Sequence, residues 1–140
     1  MNKFRHYDEA GLTTCKLSVH GKIYNGISCC HPDDIYSQFV GERLAYNRAA
    51  VEYLCEQRDK MVSQQKILKH LLSIYNQSSK VDKNGYEYKM LLRQIQSIEN
   101  EIIDLRYAIK CTKMEDKSYV ENRARLLKRK KASPDNSGSV

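Results

Sequence analysis

The chain has 140 residues and a formal net charge of +7, with 24 Lys+Arg against 17 Asp+Glu, and charged residues make up 29% of it. Only 6 Gly and 2 Pro stand beside many Lys, Glu, Gln and Leu, a balance that favours long helices over Rossmann domains or β-sandwiches. No apolar run approaches the roughly 20 residues of a membrane helix, and Met1-Asn2-Lys3-Phe4-Arg5-His6 carries no apolar core of a signal peptide, so a cytosolic protein is expected.

Residues 1–12 read as a polar lead-in. From Thr13 the hydrophobic period becomes two, with Cys15, Leu17 and Val19 alternating against Thr14, Lys16 and Ser18. His20-Gly21 is a turn signal, and Ile23, Asn25, Ile27 and Cys29 form the next alternating face. This predicts a β-hairpin within 13–30, with strands near 13–19 and 22–29. Gly26 marks a bulge or a close approach to the backbone.

His31-Pro32-Asp33-Asp34 opens a helix, because Pro suits its first position and acids suit its first turn. Val40, Leu44, Asn47, Val51, Leu54, Arg58, Met61, Gln65, Leu68, Leu72 and Tyr75 then step by four and three, a heptad seam for a helix over 32–76. Asn47, Arg58 and Gln65 interrupt the seam; they fix register or line a polar cavity, and the register reading is preferred. Gly41 either admits close approach of another chain or ligand, or is a tolerated surface glycine. Residues 76–85 are the internal loop signal. Tyr88, Leu91, Ile95, Ile98, Ile102, Leu105 and Ile109 resume the seam in a second helix over 86–131, followed by a disordered tail at 132–140.

The fold class expected is α+β, mostly α, with 13–131 as a single domain: a β-hairpin followed by a long antiparallel helical, coiled-coil hairpin. One hairpin and two helices bury little, so a homo-oligomer is expected, held by coiled-coil contacts and by joining hairpins into a larger sheet.

The charge is uneven. From Lys110 to Lys131 there are nine basic residues and three acids, leaving a net charge of +1 for the rest. Such an end suits an anionic partner, or it is a solvated helix terminus whose cations answer the dipole. Five cysteines without a secretory signal argue against a disulfide framework. Cys15, His20, Cys29, Cys30 and His31 cluster in sequence, but no Cys-x-x-Cys pair is present and adjacent strand residues face opposite ways, so no metal is expected. No Ser/His/Asp set, paired-carboxylate site or phosphate loop is recognisable, and neither an enzyme nor a cofactor is expected.

Arginine and tyrosine mixing is what a nucleotide asks for, with charge for the phosphates and stacking for the base; helix surfaces and protein interfaces carry it too. The candidate ligand-binding residues on this ground are Lys22, Tyr24, Arg43, Arg48, Arg93, Arg106, Tyr107 and Arg123.

The run Gly21-Lys22-Ile23-Tyr24-Asn25-Gly26-Ile27-Ser28-Cys29-Cys30-His31-Pro32-Asp33-Asp34, with Gly41, Ala45, Arg48 and Ala49 following Phe39, resembles small bacteriophage proteins. With the long helical hairpin, the chain is similar to the first family of Thoeris anti-defence proteins. The motif covers residues 15–50 and the architecture covers the rest. That resemblance implies a non-enzymatic sponge that binds a cyclic ADP-ribose isomer made by a bacterial immune enzyme and withholds it from its effector. It implies a homo-oligomer, a dimer or larger with a hexamer among the candidates, acting in the host bacterial cytoplasm. Some members also bind cyclic oligonucleotides at separate sites. The family's signal pockets lie between subunits and use Arg, Asn and aromatic side chains. Phe4 and Phe39 are the only phenylalanines here, so an aromatic role in the second helix falls to a tyrosine. The rival readings are a phage inhibitor that binds a protein of another defence system, as an anti-CRISPR does, and a nucleic-acid-binding coiled coil using the basic 110–131 end.

Overall fold

The computed structural model describes residues 2–29, 38–78, 80 and 83–132, with side chains described as far as Asn122. The order is strand β1 (Asn2–Tyr7), a short 3-10 turn (Asp8–Ala10), strands β2 (Leu12–Val19) and β3 (Lys22–Cys29), helix α1 (Gln38–Gln77) and helix α2 (Tyr86–Ala132). The expected helix start at 32–37 and most of the expected tail lie outside the described residues. No helix among the described residues is long and apolar enough to cross a membrane.

The sheet is antiparallel in the order β1-β2-β3. The expected hairpin is its β2-β3 half, with Cys15 opposite Gly26 and Leu17 opposite Tyr24. His20 and Gly21 both have positive φ, 49° and 80°, the conformation of a two-residue turn that matches strand twist. The lead-in expected at 1–12 is largely a third strand, with Phe4 opposite Cys15 and His6 opposite Thr13. Its inward residues are Phe4 and His6, so a polar residue stands where an apolar one would have signalled a strand. Gly11, with φ of 63°, turns the chain back and gives its N–H to Asp8 O.

Both helices bury the seam expected of them. Leu44, Asn47 and Gln65 of α1 and Leu91, Ile102 and Ile109 of α2 are buried, and the remaining seam positions are half-buried. Each buried Leu or Ile contributes roughly 1.5–3 kcal/mol relative to an exposed one.

The chain divides into two compact units: a sheet unit, Met1–Tyr53 with Lys110–Val140, and a hairpin unit, Leu54–Ile109. In the hairpin unit Gln65 gives a hydrogen bond to Glu99, and Tyr88 OH gives one to Asn76 Oδ1 at 2.9 Å. Eleven residues forward on α1 match eleven backward on α2, as antiparallel helices require. Gln65 thus pairs across the two helices, whereas Arg58 turns to its neighbour Asp59 at 3.2 Å.

In the sheet unit, Cys15, Leu17, Tyr24, Ala45 and Ala49 form the core, with Phe4, Val19, Tyr46, Ala50 and Tyr53 packed on it. Gly41, Ala45 and Ala49 recur every fourth residue and face the sheet. A Cβ on Gly26 would lie 1.8 Å from Ala45 O, and one on Gly41 would lie 2.5 Å from Thr13 Oγ1. The close approaches expected at both glycines are therefore made within this chain, between α1 and the sheet. Ser28 Oγ gives a hydrogen bond to Gly41 O at 2.8 Å and completes that seam.

Candidate functional site

The first turns of α1 and strand β1 border a shallow, open cleft of about 310 Å³ in the sheet unit, lined by Asn2, Phe4, Phe39, Glu42, Arg43 and Tyr46. Phe39, Glu42, Arg43 and Tyr46 follow one another by three, four and seven residues from Phe39, so one helix face carries two aromatic rings, a carboxylate and a guanidinium. Strand β1 supplies Phe4 from its inward side and Asn2 from its start. Phe39 is 71% exposed, far more than a packed phenylalanine.

Two polar networks hold the walls. His6 Nε2 lies 2.8 Å from Glu42 Oε1, and His6 Nδ1 lies 3.3 Å from Thr13 Oγ1. A Thr–His–carboxylate chain has the order of a nucleophilic triad. Thr13, however, is fully buried beneath Gly41, so its hydroxyl faces no reactant and the chain ties β1 and β2 to α1. Burial, and then the nearby charge of Glu42, pushes the Cys15 thiol up, which keeps it a packing group.

The second network crosses to α2. Arg43 makes a two-pronged pair with Glu115 and reaches its Oε2 at 3.1 Å. The Arg43 hydrogen bond holds the Glu115 carboxyl below the usual glutamate range, and the same bond raises Arg43. Arg48 gives a hydrogen bond to Ile27 O on β3 at 2.6 Å and pairs with Asp116 Oδ2 at 3.4 Å. Asn47 Nδ2 and Asp116 Oδ1 are buried without a hydrogen-bond partner among the described residues. The Asn47 amide stands near enough to Glu115 to favour its ionised form, so Asp116 Oδ1 is the atom of this network left, among the described residues, with neither a hydrogen bond nor a charge partner of its own.

The expected residues scatter over these features. Arg43 lines the cleft, and Arg48 stands in the network beside it. Tyr24 is 2% exposed, with its ring at 76° to that of Tyr53 and 5.3 Å between centroids, so it is a core side chain. Lys22 Nζ sits 5.6 Å above the Tyr24 ring. Arg93, Arg106 and Tyr107 are exposed on α2 in the hairpin unit. Arg123 is in α2, with its side chain outside the described residues. Sequence reasoning missed Asn2, Phe4, Phe39, Glu42 and Tyr46, although the helical spacing from Phe39 was there to be read. Cys15 faces inward and Cys29 outward on the sheet, so the described cysteines do not converge; Cys30 and His31 lie outside the described residues.

No family model matches the chain, and neither a curated protein nor a solved structure matches it.

Proposed function

We propose that this protein is a non-catalytic binding protein that sequesters a cyclic ADP-ribose-type nucleotide, as its resemblance to the Thoeris anti-defence proteins implies. The observation that carries this reading is the cleft of Phe4, Phe39, Tyr46 and Arg43, with Asn2 and Glu42 at its wall. The rings offer stacking for a base, the Arg43 Nη1 edge that Glu115 does not engage offers a charge-assisted hydrogen bond to phosphate, and the carboxylate and amide suit ribose hydroxyls. At about 310 Å³ the cleft lies at the lower end of ordinary ligand pockets. A whole cyclic dinucleotide-sized ligand needs a second wall, and a second copy of the chain supplies it.

The surface supports assembly. Ile67, Leu71 and Ile74 of α1 form a second apolar stripe at helical spacing, 38–69% exposed, and Leu92, Ile103 and Tyr107 of α2 are 42–69% exposed. Coiled-coil packing of such stripes between copies would make the homo-oligomer, and Arg93 and Arg106 are exposed on the same helix.

Isothermal titration with cyclic ADP-ribose isomers at two salt concentrations tests the reading. Expected are tight uptake of one isomer with weak salt dependence and recovery of that isomer intact after denaturation. Loss of nearly all uptake at high salt would mean that the isomer is held by exposed charges and not in the cleft. No heat with any isomer, from a folded sample, would refute the reading.

A further inference from the structure

The sheet has a second face, turned away from α1. Its residues are Lys3, Arg5 and Tyr7 of β1, Leu12, Thr14, Lys16 and Ser18 of β2, and Ile23, Asn25, Ile27 and Cys29 of β3. None of them is acidic. Lys3 is directly opposite Lys16, and Arg5 is one step along the same face. Like charges facing each other across strands destabilise a sheet, and no acid among the described residues of this face offsets them. All three cations are exposed and make no ion pair among the described residues. Tyr7, Ile23 and Ile27 are 46%, 55% and 53% exposed beside them.

The charge decides the occupant. Two copies meeting through this face would bring six cations together without a carboxylate. Strand addition by a second copy at β3 is opposed by Arg48, which already occupies the Ile27 carbonyl on that strand. What the face complements is a regularly spaced polyanion with flat apolar groups. Lys3 and Arg5 lie two residues apart on one strand, roughly 6.8 Å at about 3.4 Å per residue. They therefore line up along a chain of phosphates, with Lys16 flanking. Tyr7 offers a stacking ring at the end of the cationic row, and Ile27 and Ile23 offer apolar support on β3 for bases splayed across the sheet.

We propose that the outward face of the β1-β2-β3 sheet binds single-stranded nucleic acid, with Lys3, Arg5 and Lys16 on the phosphates and Tyr7 stacked on a base. This surface is separate from the α1 cleft and does not depend on the sponge reading.

Fluorescence anisotropy with a labelled oligonucleotide of about a dozen nucleotides tests it, since single-strand sites span roughly 4–16 nucleotides per small β-barrel fold. The full chain is compared with Lys3→Ser/Arg5→Ser/Lys16→Ser and with the charge-matched Lys128→Ser/Arg129→Ser/Lys130→Ser. The sheet triple is expected to bind about 10-fold more weakly and to lose about 2 units from the slope of log affinity against log salt, at about 0.7 per phosphate contact on single strands. The helix-end triple is expected to stay within about 3-fold of the wild type. Lys3→Arg/Lys16→Arg keeps the charge and should keep the binding, and thermal melting of each variant confirms folding. Equal losses in both triples, equal competition by duplex of the same sequence, or no binding by the wild type at low salt would each overturn the proposal.

Discussion

Helix α1 buries one face in each unit, and it does so with opposite residues. In the sheet unit it presents Gly41, Ala45 and Ala49, and its backbone comes so close that Gly26 has room for no side chain. In the hairpin unit the same helix presents Met61, Gln65, Leu68 and Leu72, with α2 tied alongside by Gln65–Glu99 and Asn76–Tyr88. The first surface is held by backbone proximity and by buried hydroxyls, Thr13 and Ser28, the latter bonded to Gly41 O. The second is held by side-chain volume, which tolerates exchange of one aliphatic residue for another. The lesson is that the sheet unit is rigidly specified where the cleft is built. The hairpin unit is a seam with apolar stripes left over on its outside.

That contrast predicts unequal sensitivity to one methyl group. Gly26→Ala drives a Cβ into the α1 backbone, which cannot step aside, and should cost about 3 kcal/mol or more in thermal or urea unfolding. Ile102→Ala removes a side chain that is 1% exposed from the hairpin seam and should cost about 2–4 kcal/mol. Gly41→Ala gains about 1 kcal/mol of helix propensity. It also meets Thr13 Oγ1 at 2.5 Å, and that hydroxyl is already fixed by His6, so the net result should be a loss of about 1 kcal/mol. A neutral or stabilising Gly26→Ala would erase the distinction between the units.

How much of this could be read beforehand follows the same division. Periodicity suffices wherever burial follows side-chain volume: the β2-β3 hairpin and both helical seams. It fails on β1, because His6 satisfies itself on Thr13 and Glu42 and so gives no apolar alternation. It also fails on the cleft, because Phe39, Glu42, Arg43 and Tyr46 share helical spacing but mix rings with charges, so no apolar stripe marks their face. Tyr24 shows the limit of residue type as a guide. An aromatic near arginines reads as a stacking group, yet its place on the inward side of β3 makes it core.

The Arg43–Glu115 pair gives a smaller, pH-dependent handle on the sheet unit. Glu115 is held below its usual range when folded, so its stabilisation is present above the unfolded value and is lost as pH falls through the folded one. The pair is partly exposed, at 46% and 35%, so Glu115→Gln should cost only about 0.2–1 kcal/mol at neutral pH. An acid titration of stability should show that difference from the wild type shrinking to nothing below the usual carboxylate range. A difference that persists there would mean that Glu115 acts through packing and not through its charge.

The most direct test of the proposed function is calorimetric titration of the wild type and of Phe39→Ala, side by side, with cyclic ADP-ribose isomers. Phe39 is exposed enough that its truncation leaves the fold intact, which the melting curve verifies. The account predicts that affinity falls about 10-fold or more, equivalent to about 1.4 kcal/mol, with folding unchanged. Wild-type affinity in a folded Phe39→Ala protein would contradict the placement of the ligand in this cleft.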